Sequence, residues 1–299
     1  MINLISVVSK QELSYLKMQA KSIELYVNSQ DLNSIVIVVN DSIDILASID
    51  PLWYGINSHK VKILHFSELI SESDLSAFVS QSGWDTQQIC KLLAASISNV
   101  DWNMIIDAKT LFICPLVLTN LITLDNKAFS NPAEISHHFI AERDFVQQYF
   151  NINLNNHYIG PGGVPFLMHS STVRSLIEYI KMHENISLTE FFFRYSVTEF
   201  LLYSGYVLFL FKKYNALYQI HHPDKYIYHH IADSQILEFD LIMQFIHQHA
   251  NTITISLHRR AYPLLTDKQK TCWCELLYSK KLIDSVEDTK NELNTILAG

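Results

Sequence analysis

Ile35-Val36-Ile37-Val38-Val39 is an unbroken β-branched run, a pattern that suits a strand covered on both faces. Residues 3–8 form a second apolar run, residues 61–66 a third, and residues 103–106 a fourth that ends at Asp107. Helical patterns lie between them. Ser9-Lys10-Gln11-Glu12 has the capping-box arrangement that opens a helix, and Leu13, Leu16, Ala20, Ile23 and Val27 then fall on one face. Residues 84–98 read as another helix. Strand and helix in alternation predict an α/β fold with a mostly parallel sheet.

The second half reads differently. After Gly160-Pro161-Gly162-Gly163, a short strand at 166–169 leads into a helix bearing Val173, Leu176, Ile177 and Ile180 on one face. Ser187-Leu188-Thr189-Glu190 and Ser196-Val197-Thr198-Glu199 are two more capping-box patterns, the second opening an apolar helix through Phe211. A late strand is expected at 253–257, and Thr266 caps a helical region running towards Leu297. No repeat or linker divides the chain.

Composition bounds the function. With 299 residues, 48% hydrophobic and 17% charged, the chain can bury a sizeable core and is not intrinsically disordered. The net charge of −8 and the lack of a basic run argue against nucleic acid as a partner. Cys90, Cys114, Cys272 and Cys274 offer neither a disulfide framework nor a zinc or redox spacing. His137-His138, His221-His222, His229-His230 and His247/His249 likewise lack the spacing of a zinc site. The N-terminus lacks a basic region before its apolar run, and the most apolar stretch, residues 200–211, is too short to span a bilayer. A cytoplasmic location is expected, with association at the inner face of the cell membrane left open.

In a parallel sheet, ligands sit where loops leave the carboxyl ends of strands. Three places qualify: Asn40-Asp41, Asp107 with Lys109-Thr110, and the Gly160–Gly163 loop. The segment Met104-Ile105-Ile106-Asp107-Ala108-Lys109-Thr110-Leu111 resembles the Asp-x-Asp region of glycosyltransferases of the GT-A fold. There, acids at a strand end hold a divalent cation on the diphosphate of a sugar nucleotide. Trp84-Asp85-Thr86-Gln87-Gln88-Ile89-Cys90-Lys91-Leu92 and Thr198-Glu199-Phe200-Leu201-Leu202-Tyr203 resemble segments of a bacterial polysaccharide-associated subset of these enzymes. The likeness covers about residues 2–215 in element order. One departure matters: Lys109 stands where the second acid belongs.

The resemblance implies a GT-A-like, Rossmann-like domain over residues 1–260, with a C-terminal helical extension over 261–299 packed on the same core. It implies a hexosyl- or pentosyltransferase that moves a sugar from a nucleotide or other phosphorylated donor to a hydroxyl of a bacterial surface glycan, free or lipid-linked. Asp107 and Glu199 are the expected catalytic residues, Glu199 as a base whose pKa burial would raise. Asp41, Gln88, Lys91, Lys109, Thr110, Gly163, His258 and Arg259 are the expected donor-binding residues. Trp84 frames the same pocket. Asp107 is the expected ligand of a Mg²⁺ or Mn²⁺ ion, unless the Lys109 ammonium takes over that charge. The alternative is a non-catalytic module that binds a nucleotide sugar or glycan through a degenerate Asp-x-Asp site. A homodimer is left open.

Overall fold

A computed structural model describes residues 1–81, 83–130, 133–154, 157–158, 164–220, 227–249 and 252–297. In chain order its strands are β1 (Ile2–Val8), β2 (Leu32–Val39), β3 (Val61–His65), β4 (Trp102–Asp107), β5 (Thr110–Phe112), β6 (Ala128–Ser130), β7 (Ala133–Glu134), β8 (His157–Tyr158), β9 (Phe166–His169), β10 (Tyr218–Ile220), β11 (Ile227–Ile231) and β12 (Thr252–Leu257). The helices are α1 (Leu13–Tyr26), α2 (Glu72–Val79), α3 (Gly83–Ser96), α4 (Ile140–Phe150), α5 (Ser170–Glu184), α6 (Leu188–Tyr195), α7 (Glu199–Phe211), α8 (Phe239–Gln248), α9 (Asp267–Ser279) and α10 (Val286–Leu297).

Among the described residues, the central sheet has five strands in the order β3-β2-β1-β4-β9. The first four are mutually parallel, and β9 closes the edge antiparallel to β4. Every residue of β1 is buried, as expected for a strand with helices on both sides. Right-handed crossovers running in opposite directions along the sheet put α1 and α3 on opposite faces. A buried polar rung sets the register: Ser34 Oγ donates to Asn3 Oδ1 at 2.7 Å, Asn3 Nδ2 to Asn103 Oδ1 at 3.1 Å, and Asn103 Nδ2 to Ser170 Oγ at 2.7 Å. A one-residue slip would strand these groups unpaired in the core. The register they fix brings Val7 opposite both Val38 and Asp107 at the carboxyl end.

A second sheet has the order β11-β12-β5. In it β12 runs parallel to β11 and antiparallel to β5. Trp273, Leu277 and Leu293, from α9 and α10, belong to the same buried cluster as the central strands.

One expected boundary is corrected. Ser196 does not open α7. It takes a left-handed φ of 45° and closes α6, its N–H donating to the Phe192 carbonyl at 2.8 Å. Thr198 caps α7 instead, so Glu199 is the first helical residue and is not used as a capping-box partner. The Ser9, Ser187 and Thr266 caps open their helical segments as the sequence predicts. No helix among the described residues is long and apolar enough to cross a membrane.

Candidate functional site

From β1 the chain moves outward through β2 to β3, then returns to place β4 on the other side of β1. The carboxyl ends of β1 and β4 stay paired as far as Val7 and Asp107, and the space between the loops that leave them is where an open α/β sheet receives a ligand. One wall is the Ser9–Glu12 turn after β1. The other is the short Asp107–Thr110 link from β4 to β5.

That link is held from below. Gln19, 1% exposed on α1, donates through Nε2 to the carbonyls of Asp107 at 2.6 Å and Thr110 at 3.1 Å. Its Oε1 accepts from Ser6 Oγ of β1 at 2.8 Å. The amide side chain thereby ties the two strand ends together. The sequence signal was a polar residue beside the apolar stripe of α1, which the reading of that stripe passed over.

Above the link, four charged side chains from three distant segments converge. Lys91 Nζ of α3 lies 3.3 Å from Asp107 Oδ1 and 3.0 Å from Glu199 Oε1. Lys109 Nζ donates to Asp107 Oδ2 at 2.8 Å. Lys91 is 5% exposed and Glu199 1% exposed, whereas Asp107 and Lys109 keep an edge in solvent. Burial works against charge on Asp107, but Lys109 and Lys91 outweigh it and hold the carboxyl well below its ordinary range. Burial also works against charge on Lys91, and the two carboxylates outweigh it, raising its pKa. For Glu199 burial prevails over Lys91, and the pKa is raised. Glu199 is therefore enclosed against Lys91, without the exposure to an acceptor that its expected role as a base would use.

The second sheet supplies the opposite rim. Pairing of Thr110 with Ser256, and of Ser256 with His230, sets β11 and β12 beside the link. The His230 Nδ1 bonds the Ser256 hydroxyl at 2.7 Å, and its ring lies 6.0 Å from that of His258 in the turn after β12. Partial burial, then Lys109 and His230, lower the His258 pKa to about 4. Arg259 reaches across the crevice, its Nη1 donating to Gln11 Oε1 at 2.8 Å. Arg260 is exposed and 3.5 Å from Asp233.

The remaining expected residues divide. Gln88 is buried one turn before Lys91, donating to the Trp84 carbonyl at 3.2 Å, and its Oε1 has no partner among the described residues. Thr110 is buried, its hydroxyl likewise without a partner among the described residues. Asp41 is drawn into loop structure: its carboxylate accepts from the N–H groups of Lys10 at 2.8 Å and Ser42 at 2.7 Å, tying the loops after β1 and β2. Gly163 lies outside the described residues. His230 and Gln19 were not singled out for the site from sequence.

Residues 6–249 match a family described as "Family of unknown function (DUF6492)". The chain belongs to this family. No curated protein matches it in sequence. Among solved structures the chain is similar to the galactosyltransferase LgtC in complex with donor and acceptor sugar analogs, at 13% identity over 96% of this chain and 99% of that one, with a TM-score of 0.48. It is also similar to the bifunctional glycosyltransferase WbbM, at 12% identity over 85% and 45%, TM-score 0.45. A third is the glycosyltransferase GlyE of Streptococcus pneumoniae TIGR4, at 13% over 100% and 63%, TM-score 0.44.

Proposed function

We propose that this member of the DUF6492 family is a glycosyltransferase that draws a sugar from a phosphorylated donor bound in the crevice between β1 and β4. The observation that supports this most is the convergence of Asp107, Lys109 and Lys91 at the switch point of the sheet. Glycosyl transfer breaks the bond from the anomeric carbon to a phosphate oxygen, with the electron pair leaving on the phosphate. Positive charge develops on the sugar ring and negative charge on the leaving group. An ionised carboxylate beside an ammonium suits that separation: Asp107 faces the ring, and Lys109 faces the departing phosphate. His258 and Arg259 extend the anion-binding rim. The acceptor hydroxyl forms the new bond to the anomeric carbon, and its proton passes to a released phosphate oxygen or to water.

Lys91 and Glu199 are positioning residues in this reading. Glu199 fixes Lys91, and Lys91 fixes the orientation and charge of Asp107. A bacterial surface glycan as acceptor rests on the resemblance of the Trp84–Leu92 and Thr198–Tyr203 segments. The resemblance also bears on a second reading, a binding module without turnover, because Lys109 replaces the second acid.

The test is release of nucleoside diphosphate from a panel of nucleotide sugars, with and without glycan acceptors. Transfer is expected for one donor class. Asp107→Asn and Lys109→Ala are each expected to lower the rate by at least about 100-fold, the scale of a lost electrostatic stabiliser. Tight donor binding with no release under any acceptor would support the module instead.

A further inference from the structure

Resting on that donor reading, we propose that the Lys109 ammonium takes the place of a divalent cation, so that the site binds a diphosphate without metal. The Asp-x-Asp resemblance implies such an ion, but the residues present do not fit one. Each oxygen of Asp107 already faces an ammonium, Lys91 at 3.3 Å and Lys109 at 2.8 Å. A divalent ion ligated at about 2 Å from either oxygen would sit beside two ammonium charges. The second acid that would offset this is absent, since its position is Lys109 itself. Among the described residues, no group of three or more His, Cys, Asp or Glu side chains is placed to hold a metal.

The same arrangement shows how an ammonium can do the work. Lys91, Lys109, Asp107 and Glu199 sum to zero charge, so nothing in the cluster calls for another cation. Asp107 is shared between two lysines of unequal burial. Lys91 Nζ lies 3.0 Å from Glu199 Oε1 and over the Phe200 ring at 5.2 Å. Lys109 is the partner nearer solvent. It can turn from Asp107 to a phosphate while Lys91 keeps the carboxylate paired, which avoids the large cost of an orphaned buried charge. Arg259 adds a guanidinium that, among the described residues, donates to the neutral Gln11 amide, an exchange a phosphate readily wins.

The experiment pairs two measurements on the full chain stripped of metal. The first is calorimetric binding of uridine, guanosine, adenosine and cytidine diphosphates in chelator and in Mn²⁺. The second is Mn²⁺ binding to the protein alone, followed by electron paramagnetic resonance. The expected result is one diphosphate that binds equally in chelator and in Mn²⁺, with no tight Mn²⁺ site on the protein. Lys109→Met is expected to weaken that binding by at least about tenfold. Lys109→Asp is expected to weaken it in chelator and to create Mn²⁺ binding visible in the resonance spectrum. Binding that appears only with Mn²⁺, or a Mn²⁺ site in the wild type that Asp107→Asn removes, would overturn the inference and leave the donor reading standing. Absence of binding by every diphosphate in both buffers would overturn both.

Discussion

Lys91 is the residue on which the site's charges turn. It sits 5% exposed in α3, where an isolated ammonium would be strongly disfavoured, and it is retained there by two carboxylates. Lys91→Met removes the shared cation and leaves Glu199 buried without a counter-charge. We expect a loss of about 3–5 kcal/mol in urea unfolding, with most of it restored by adding Glu199→Gln, because the uncompensated carboxylate is then gone. If the single and double variants are equally unstable, the Lys91–Glu199 contact is not what holds the cluster. His258 sets a pH dependence of opposite origin. Its folded pKa is lowered to about 4 from the ordinary 6.5, so between those values the unfolded chain binds a proton that the folded chain does not. Stability from this group is therefore full above about pH 6.5 and declines as pH falls towards 4. The urea midpoint should drop between pH 7 and pH 5, and His258→Asn should lessen that drop, His230, likewise lowered to about 4, supplying the rest. An unchanged profile in the variant would remove His258 as its source.

At the scale of elements, the placement of Glu199 depends on how α7 begins and on what it packs against. The segment read as one capping box divides into the end of α6 and the start of α7, because Ser196 turns left-handed and Thr198 takes the cap. Glu142 of α4 fixes the junction by accepting the Thr198 N–H at 2.7 Å. Farther along α7, Gly205 lets the helix approach α4 so closely that a Cβ there would overlap Val146 and press on Phe150. Gly205→Val should push the two helices apart, costing about 1–3 kcal/mol by thermal or urea unfolding. It should also weaken diphosphate binding, since Glu199 moves with α7. Full stability in this variant would mean that the α4–α7 contact yields at no cost. The α7 pattern in the sequence is so uniformly apolar that no face can be chosen from it, which is why this contact was not legible.

At the scale of the whole molecule, a chain of net charge −8 brings Lys91, Lys109 and Arg259, three of its 22 Lys and Arg residues, to one end of one sheet. That concentration, not the overall charge, decides what the crevice can bind. The parallel strands, their order of appearance and Asp107 at a strand end were readable from sequence, because β-branched runs and capping patterns are local and repeat with a fixed period. Lys91, Lys109 and Glu199 could each be named, but their convergence could not. Residues 91, 107 and 199 meet only after β4 inserts beside β1 and α7 docks on α3. Gln19 and His230 gave weaker signals still, since a polar residue on a buried face has meaning only once its partner is known. The surroundings of Asp41 and Glu199 were hidden for the same reason: whether a carboxylate ends in a loop, in a buried ion pair or against a ligand is set by its neighbours in space. Patterns along the chain were enough for the elements and the kind of sheet. The tertiary structure decided which charges face one another, because electrostatics acts through distances of a few ångströms that no pattern along the chain encodes.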